Sequence, residues 1–158
     1  ELTDKYLAKY ITTVDGNLQR QLASALSYTK NETTLTHLLE EWKNKDIVKP
    51  QDLAMSWYFT FLQHDFTQGT VWTWARDNWD WIKAALGGDM SFDKFVIYPA
   101  STFKTHERLA EYKAFFEPQL SDLAISRNIS MGIKEISARI DLIDKEKAAV
   151  EAAIKATV

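Results

Sequence analysis

Apolar residues recur along this chain at spacings of three and four rather than two, the period of helices that bury one face. Breakers are few, five Gly and three Pro in 158 residues, and the pattern predicts an all-α chain. It places helices near 3–11, 16–28, 32–43, 51–63, 68–86, 92–99, 106–116 and 121–143, with a last one near 145–156. Several junctions carry start and stop chemistry. Asp15, Asn31, Ser91 and Thr105 suit N-caps, Pro50 suits a first helical position, and Gly87-Gly88 suits a stop. Short links make consecutive helices antiparallel neighbours, which stack as a bundle or as a curved α-solenoid of helix pairs.

Two stretches are the most informative. Between Val71 and Leu86 the apolar positions cover about half a helical wheel, wider than the ≳ 100° stripe of a surface helix, which predicts a helix sandwiched between neighbours. Asn78 falls inside that arc, so its amide needs partners. Arg76 and Asp80 have the spacing of a modest surface pair. Further on, Ile129, Ile133, Ile136, Ile140 and Ile143 follow steps of four, three, four and three. Two heptads fall short of the ~3–4 that define a coiled coil, so the stripe is expected to be an intramolecular packing face.

Composition narrows the function. With 46% hydrophobic and 26% charged residues the chain has a globular make-up, and its length fits one domain spanning 1–158. Nineteen Lys plus Arg against 22 Asp plus Glu, net −3, lack the basic footprint of a nucleic-acid binder. Zero cysteines exclude a disulfide framework, a thiolate nucleophile and any sulfur-ligated zinc. No apolar run approaches the ~20 residues of a membrane span, and no basic-then-apolar leader opens the chain, so a cytoplasmic protein without membrane contact is expected. The start at Glu1-Leu2-Thr3, without an initiator Met, suits a processed product or a segment of something longer.

Local motifs for chemistry are missing. A helical zinc hydrolase needs two His one turn apart with a Glu between them, yet after His106-Glu107 the second ligand position holds Ala110. The inverted arrangement fails at His37, where Glu41 replaces the required His. His37, His64 and His106 therefore read as surface or capping residues. No nucleophile elbow is visible, and Gly87-Gly88-Asp89 is too short and too acidic for a phosphate cradle. The acid pairs Glu40-Glu41 and Asp77 with Asp80 suit solvated helix faces. Six Trp could form a sugar platform, but their helical spacing favours core packing. The sequons at Asn31 and Asn128 fall on or beside helices and read as coincidental.

An ordered series of motifs adds a resemblance. Val48-Lys49-Pro50-Gln51-Asp52-Leu53 comes first, followed by the run from Trp72 to Trp81 with Trp74, Asn78 and Trp79 inside it. Phe103-Lys104-Thr105, Leu109-Ala110-Glu111, Phe115-Phe116, Glu135-Ile136 and Arg139-Ile140 complete the series. Together, over nearly the whole chain, they resemble the C-terminal helical domain of M1-family zinc aminopeptidases, in the branch of Gram-positive lactic-acid bacteria. In that family the HExxH helix, its downstream Glu ligand, the GxMEN motif and a catalytic Tyr lie in an earlier domain, and none of these motifs occurs here.

The resemblance implies a non-catalytic cap: an α-solenoid of about eight or nine helices, with no metal ligand or catalytic residue of its own. It would wall the peptide cavity of a parent enzyme whose other domains are its partners and supply the zinc. Gln51, Asp52, Trp74, Asn78, Trp79, Phe103 and Phe116 are its structural motif residues. Tyr28 and Lys30, at a helix end, are the candidates to face the substrate's C-terminal carboxylate. The alternative is a stand-alone helical-repeat module that binds a protein or peptide on a concave face.

Overall fold

The structure, a computed structural model, describes residues 2–157, and every regular element among them is helical. Nine helices follow one another among the described residues: α1 Leu2–Thr12, α2 Gly16–Leu26, α3 Glu32–Glu41, α4 (50–62), α5 Asp65–Asp77, α6 Trp79–Leu86, α7 Lys94–Thr102, α8 His106–Phe116 and α9 Ser126–Thr157. Two compact units divide the chain, the first ending at Tyr98 and the second starting at Pro99.

In the first unit the expected caps form. The Asp15 carboxylate accepts from the N–H groups of Asn17 and Leu18, the Asn31 amide oxygen accepts from Thr34, and Pro50 opens α4. Ser91 is not a cap. Its hydroxyl and its own N–H, the latter at 2.7 Å, face the Asp89 carboxylate and pull that carboxyl below the ordinary Asp range, and α7 begins only at Lys94.

α4 departs from an α-helix. Pro50–Asp52 leads into a π-helical run, Leu53–Phe59, before Thr60–Leu62 restores α geometry. The reason lies in spacing: Leu53/Ala54, Trp57/Tyr58 and Phe61/Leu62 recur every four residues and are all buried. A 3.6-residue turn would drift these pairs by about 40° per step, and the wider turns inserted between α segments drift them back, so the mixture holds them on the core face. Around them an aromatic web closes the core. Trp57 donates its indole N–H to the Tyr10 hydroxyl at 3.0 Å, and Trp42 meets Phe61 and Trp74 edge-on at 5.3 and 5.0 Å. Trp42, Trp57 and Trp72 are fully buried, and Trp79 packs on Phe92, so these four indoles are core and not a sugar platform.

The helix expected over 68–86 is two helices. It begins earlier, at Asp65, and breaks at Asn78, whose φ of −108° and ψ of 18° leave the helical region. Backbone N–H and side-chain amide of Asn78 both donate to the Trp74 carbonyl, at 3.0 and 2.7 Å. This double capping supplies the partners the buried arc required. It also redirects Arg76, which reaches Thr73 at 3.1 Å and lies over Trp72 rather than pairing with Asp80.

In the second unit Thr105 caps α8 by accepting from Arg108. α7 does not stop at Pro99 but runs through it to Thr102. Ala100 and Phe103 are buried beyond the proline, and Arg139 of α9 donates to both their carbonyls, at 2.9 and 2.5 Å, offsetting the bond that Pro99 cannot make. The two closing helices expected at 121–143 and 145–156 are one, because no Gly or Pro falls between 133 and 157, and the residues before Ser126 form turns. Its Ile stripe packs inward at Ile129, Ile136 and Ile140. Gly132 lies against the Tyr112 hydroxyl and Ala100, where a Cβ would collide with both.

Candidate functional site

The turn between α4 and α5 builds the most distinctive polar cluster of the first unit. Thr67 and Gln68, both buried, turn back to cap the end of α4: Thr67 Oγ1 donates to the Phe61 carbonyl at 2.5 Å and Gln68 Nε2 to the Leu62 carbonyl at 2.9 Å. Between them the chain takes an extended residue, His64, whose carbonyl accepts the N–H groups of Thr67 and Gln68. The turn aims the imidazole at the end of α2. There Ser27, fully buried, gives its hydroxyl proton to the Ser24 carbonyl at 2.7 Å. Its oxygen is left to accept from His64 Nε2 at 3.0 Å, which sets the ring's tautomer.

The imidazole is flanked by two rings, Tyr28 at 4.2 Å and Phe66, nearly parallel, at 5.3 Å. Burial holds the His64 pKa below its ordinary value despite the opposing pull of Asp65. Lys30 Nζ lies 5.5 Å from the Phe66 ring centre. Tyr28 is 64% exposed and Phe66 43%. Sequence reasoning singled out Tyr28 and Lys30, and the structure sets both beside His64 and Phe66, which it missed. In the sequence His64 reads as a surface or capping residue without a local metal-ligand partner, and Phe66 carries no signal. Beside this stack a half-open groove of about 250 Å³ runs between α1 and α2, lined by Leu2, Tyr6, Leu26 and Tyr28 among others. Such a surface can hold an apolar or planar group against the rings, with a cation and a hydroxyl at its edge.

The motif residues have other settings. Gln51 and Asp52 line a second groove of about 220 Å³ with Arg20, Met55, Ser56 and Thr60, next to the π-helical run. Trp74 is half-buried against Trp42, Asn78 makes the break between α5 and α6, and Trp79 is buried. In the second unit Phe103 and Phe116 are fully buried, Phe116 packing on Tyr112 at 4.8 Å.

The histidines do not fit a zinc site. His37 is exposed on α3, His64 is committed to Ser27, and His106 pairs with Asp144 at 3.0 Å within the second unit. Among the described residues no group of three or more His, Asp or Glu is placed to hold a metal ion, and no helix is long and apolar enough to cross a membrane.

Fold and site together define a class: an all-helical domain that offers aromatic faces and shallow grooves. The chain belongs to the ERAP1-like C-terminal domain family, whose model matches residues 1–138. It is 60% identical over 154 residues to an aminopeptidase N of Lactococcus lactis subsp. lactis, a match covering 98% of this chain and 18% of the relative. With an aminopeptidase N of Lactobacillus helveticus it shares 40% over 154 residues, again 98% of this chain and 18% of the relative. Endoplasmic reticulum aminopeptidase 2 of Bos taurus is 30% identical over 115 residues, 70% of this chain and 12% of that protein. The chain thus spans less than a fifth of these relatives' length. These matches support the reading as an aminopeptidase C-terminal domain over that of a stand-alone interaction module.

Proposed function

We propose that this chain is the C-terminal helical domain of a cytoplasmic zinc aminopeptidase that removes N-terminal residues from peptides, and that it caps the catalytic domain and walls the substrate cavity. The observation that carries the reading is the alignment of 98% of the chain with only 18% of an aminopeptidase N. Zinc, which polarises a scissile carbonyl and activates water, would be held by residues of the catalytic domain outside this chain. These helices contribute shape. Enclosure limits entry to unfolded peptides and lowers the local dielectric, which strengthens the field of a metal centre next door.

Within that wall, the stack of Tyr28, His64 and Phe66 with Lys30 at its edge is our candidate for contact with the peptide's far end. The ammonium faces the terminal carboxylate, the Tyr28 hydroxyl donates to it, and the rings take up the last side chain. The test is the double substitution Tyr28→Ala with Lys30→Ala in the full-length enzyme. KM for peptides long enough to reach the stack should rise several-fold, about 1 kcal/mol for a solvent-accessible contact, while an aminoacyl anilide is unaffected. An unchanged KM across peptide lengths would remove both residues from the substrate path.

A further inference from the structure

Residues of α9 carry one apolar stripe through two environments. The stripe continues past Ile143 with the same alternation, at Lys147, Val150 and Ile154. Ile129, Ile136 and Ile140 are buried within the second unit, but from Asp141 to Ala156 every residue is exposed, including Ile143, Val150 and Ile154. At the start of the exposed half Asp144 pairs with His106 of α8 at 3.0 Å. The family match has already ended, at residue 138.

We propose that the 141–156 strip docks one amphipathic helix from the remainder of the parent polypeptide. That helix would carry apolar residues at the same four-three spacing, an Asp or Glu facing Lys147, and Lys or Arg on its flanks. The inference rests on the reading of this chain as a domain of a longer aminopeptidase.

Charge and length choose this occupant. The positions that border the stripe are Asp144, Glu146, Glu151 and Ala153, three of them acidic and none basic. A second copy lying parallel would set Glu146 against Glu151, and an antiparallel copy would set Asp144 against Glu151. Like charges at such positions oppose pairing, whereas a basic flank completes them. A Lys within the stripe, once covered, needs an acidic neighbour, because a buried charge is costly unless it is paired. The strip spans about two heptads, short of the ~3–4 that sustain a free coiled coil. A partner in trans would bind weakly, while a helix tethered in the same polypeptide acts at an effective concentration of about millimolar. The relatives carry more than four-fifths of their length outside the matched segment, since the match covers 18% of them.

The test is amide hydrogen exchange on the full-length enzyme. Amides of 141–156 are expected to exchange as slowly as those of 129–140. Val150→Lys with Ile154→Lys should speed exchange in 141–156 at least tenfold while leaving 129–140 and anilide turnover unchanged. Glu146→Lys with Glu151→Lys should act in the same direction, more weakly. Fast exchange of the strip in the native enzyme overturns the proposal, as does protection that both double variants leave intact. Sedimentation showing a native dimer that Val150→Lys with Ile154→Lys converts to a monomer overturns it in favour of a second copy. An active enzyme with an unprotected strip removes this inference alone. A full-length polypeptide without aminopeptidase activity removes the underlying reading, whatever the exchange shows.

Discussion

Ile136 and Val150 occupy equivalent places on the stripe of α9, two heptads apart, yet the first is fully buried and the second is 54% exposed. The inner half of the helix has features the outer half lacks. Gly132 admits the Tyr112 hydroxyl at close range, and Arg139 ties the end of α7 by two hydrogen bonds. The outer half instead has Lys147 in its stripe, acids beside it and small Ala residues behind. Periodicity therefore states what a face is fit to pack against. Whether the chain itself supplies the cover is told by the irregular residues, a Gly where a neighbour crosses or an Arg at a neighbour's end.

The comparison can be broken by substitution. Ile136→Ala should cost about 2–5 kcal/mol in urea unfolding, as for a filled core position, while Val150→Ala should stay within about 0.5 kcal/mol in the 158-residue chain. Equal losses would erase the distinction between the halves. Arg139→Met keeps the stem but removes both donors to the end of α7 and should cost about 1.5–3 kcal/mol, against no measurable loss for Lys147→Met. At Gly132→Ala the collision with Tyr112 and Ala100, about 1–3 kcal/mol, is partly offset by the ~1 kcal/mol gain in helix propensity. A net loss near 1 kcal/mol is expected, and a stabilised variant would show that the crossing is looser than described. The smallest effect belongs to the boundary, where Asp144→Asn should cost less than about 1 kcal/mol because its pair with His106 is exposed.

What could be read from sequence followed the reach of each interaction. Asp15, Asn31, Pro50 and Thr105 act within a few residues of themselves, so their roles were visible in the bare chain. The break at Asn78 turns on one amide choosing the Trp74 carbonyl over helical continuation, and a period cannot display such a choice. Helix α7 runs through Pro99 because Arg139, far along the chain, caps its end. The same holds at the candidate site. Tyr28 and Lys30 were legible as a helix end, whereas His64 and Phe66 reach them only through a contact that closes 37 residues, from Ser27 to His64.

The central claim is that this chain shapes a cavity and leaves the chemistry to residues elsewhere. It is tested most directly by incubating the purified 158-residue chain, free of other peptidases, with an aminoacyl anilide while zinc is titrated in. The account predicts no amine release above the buffer rate at any zinc concentration. Release that rises with zinc and saturates would contradict it.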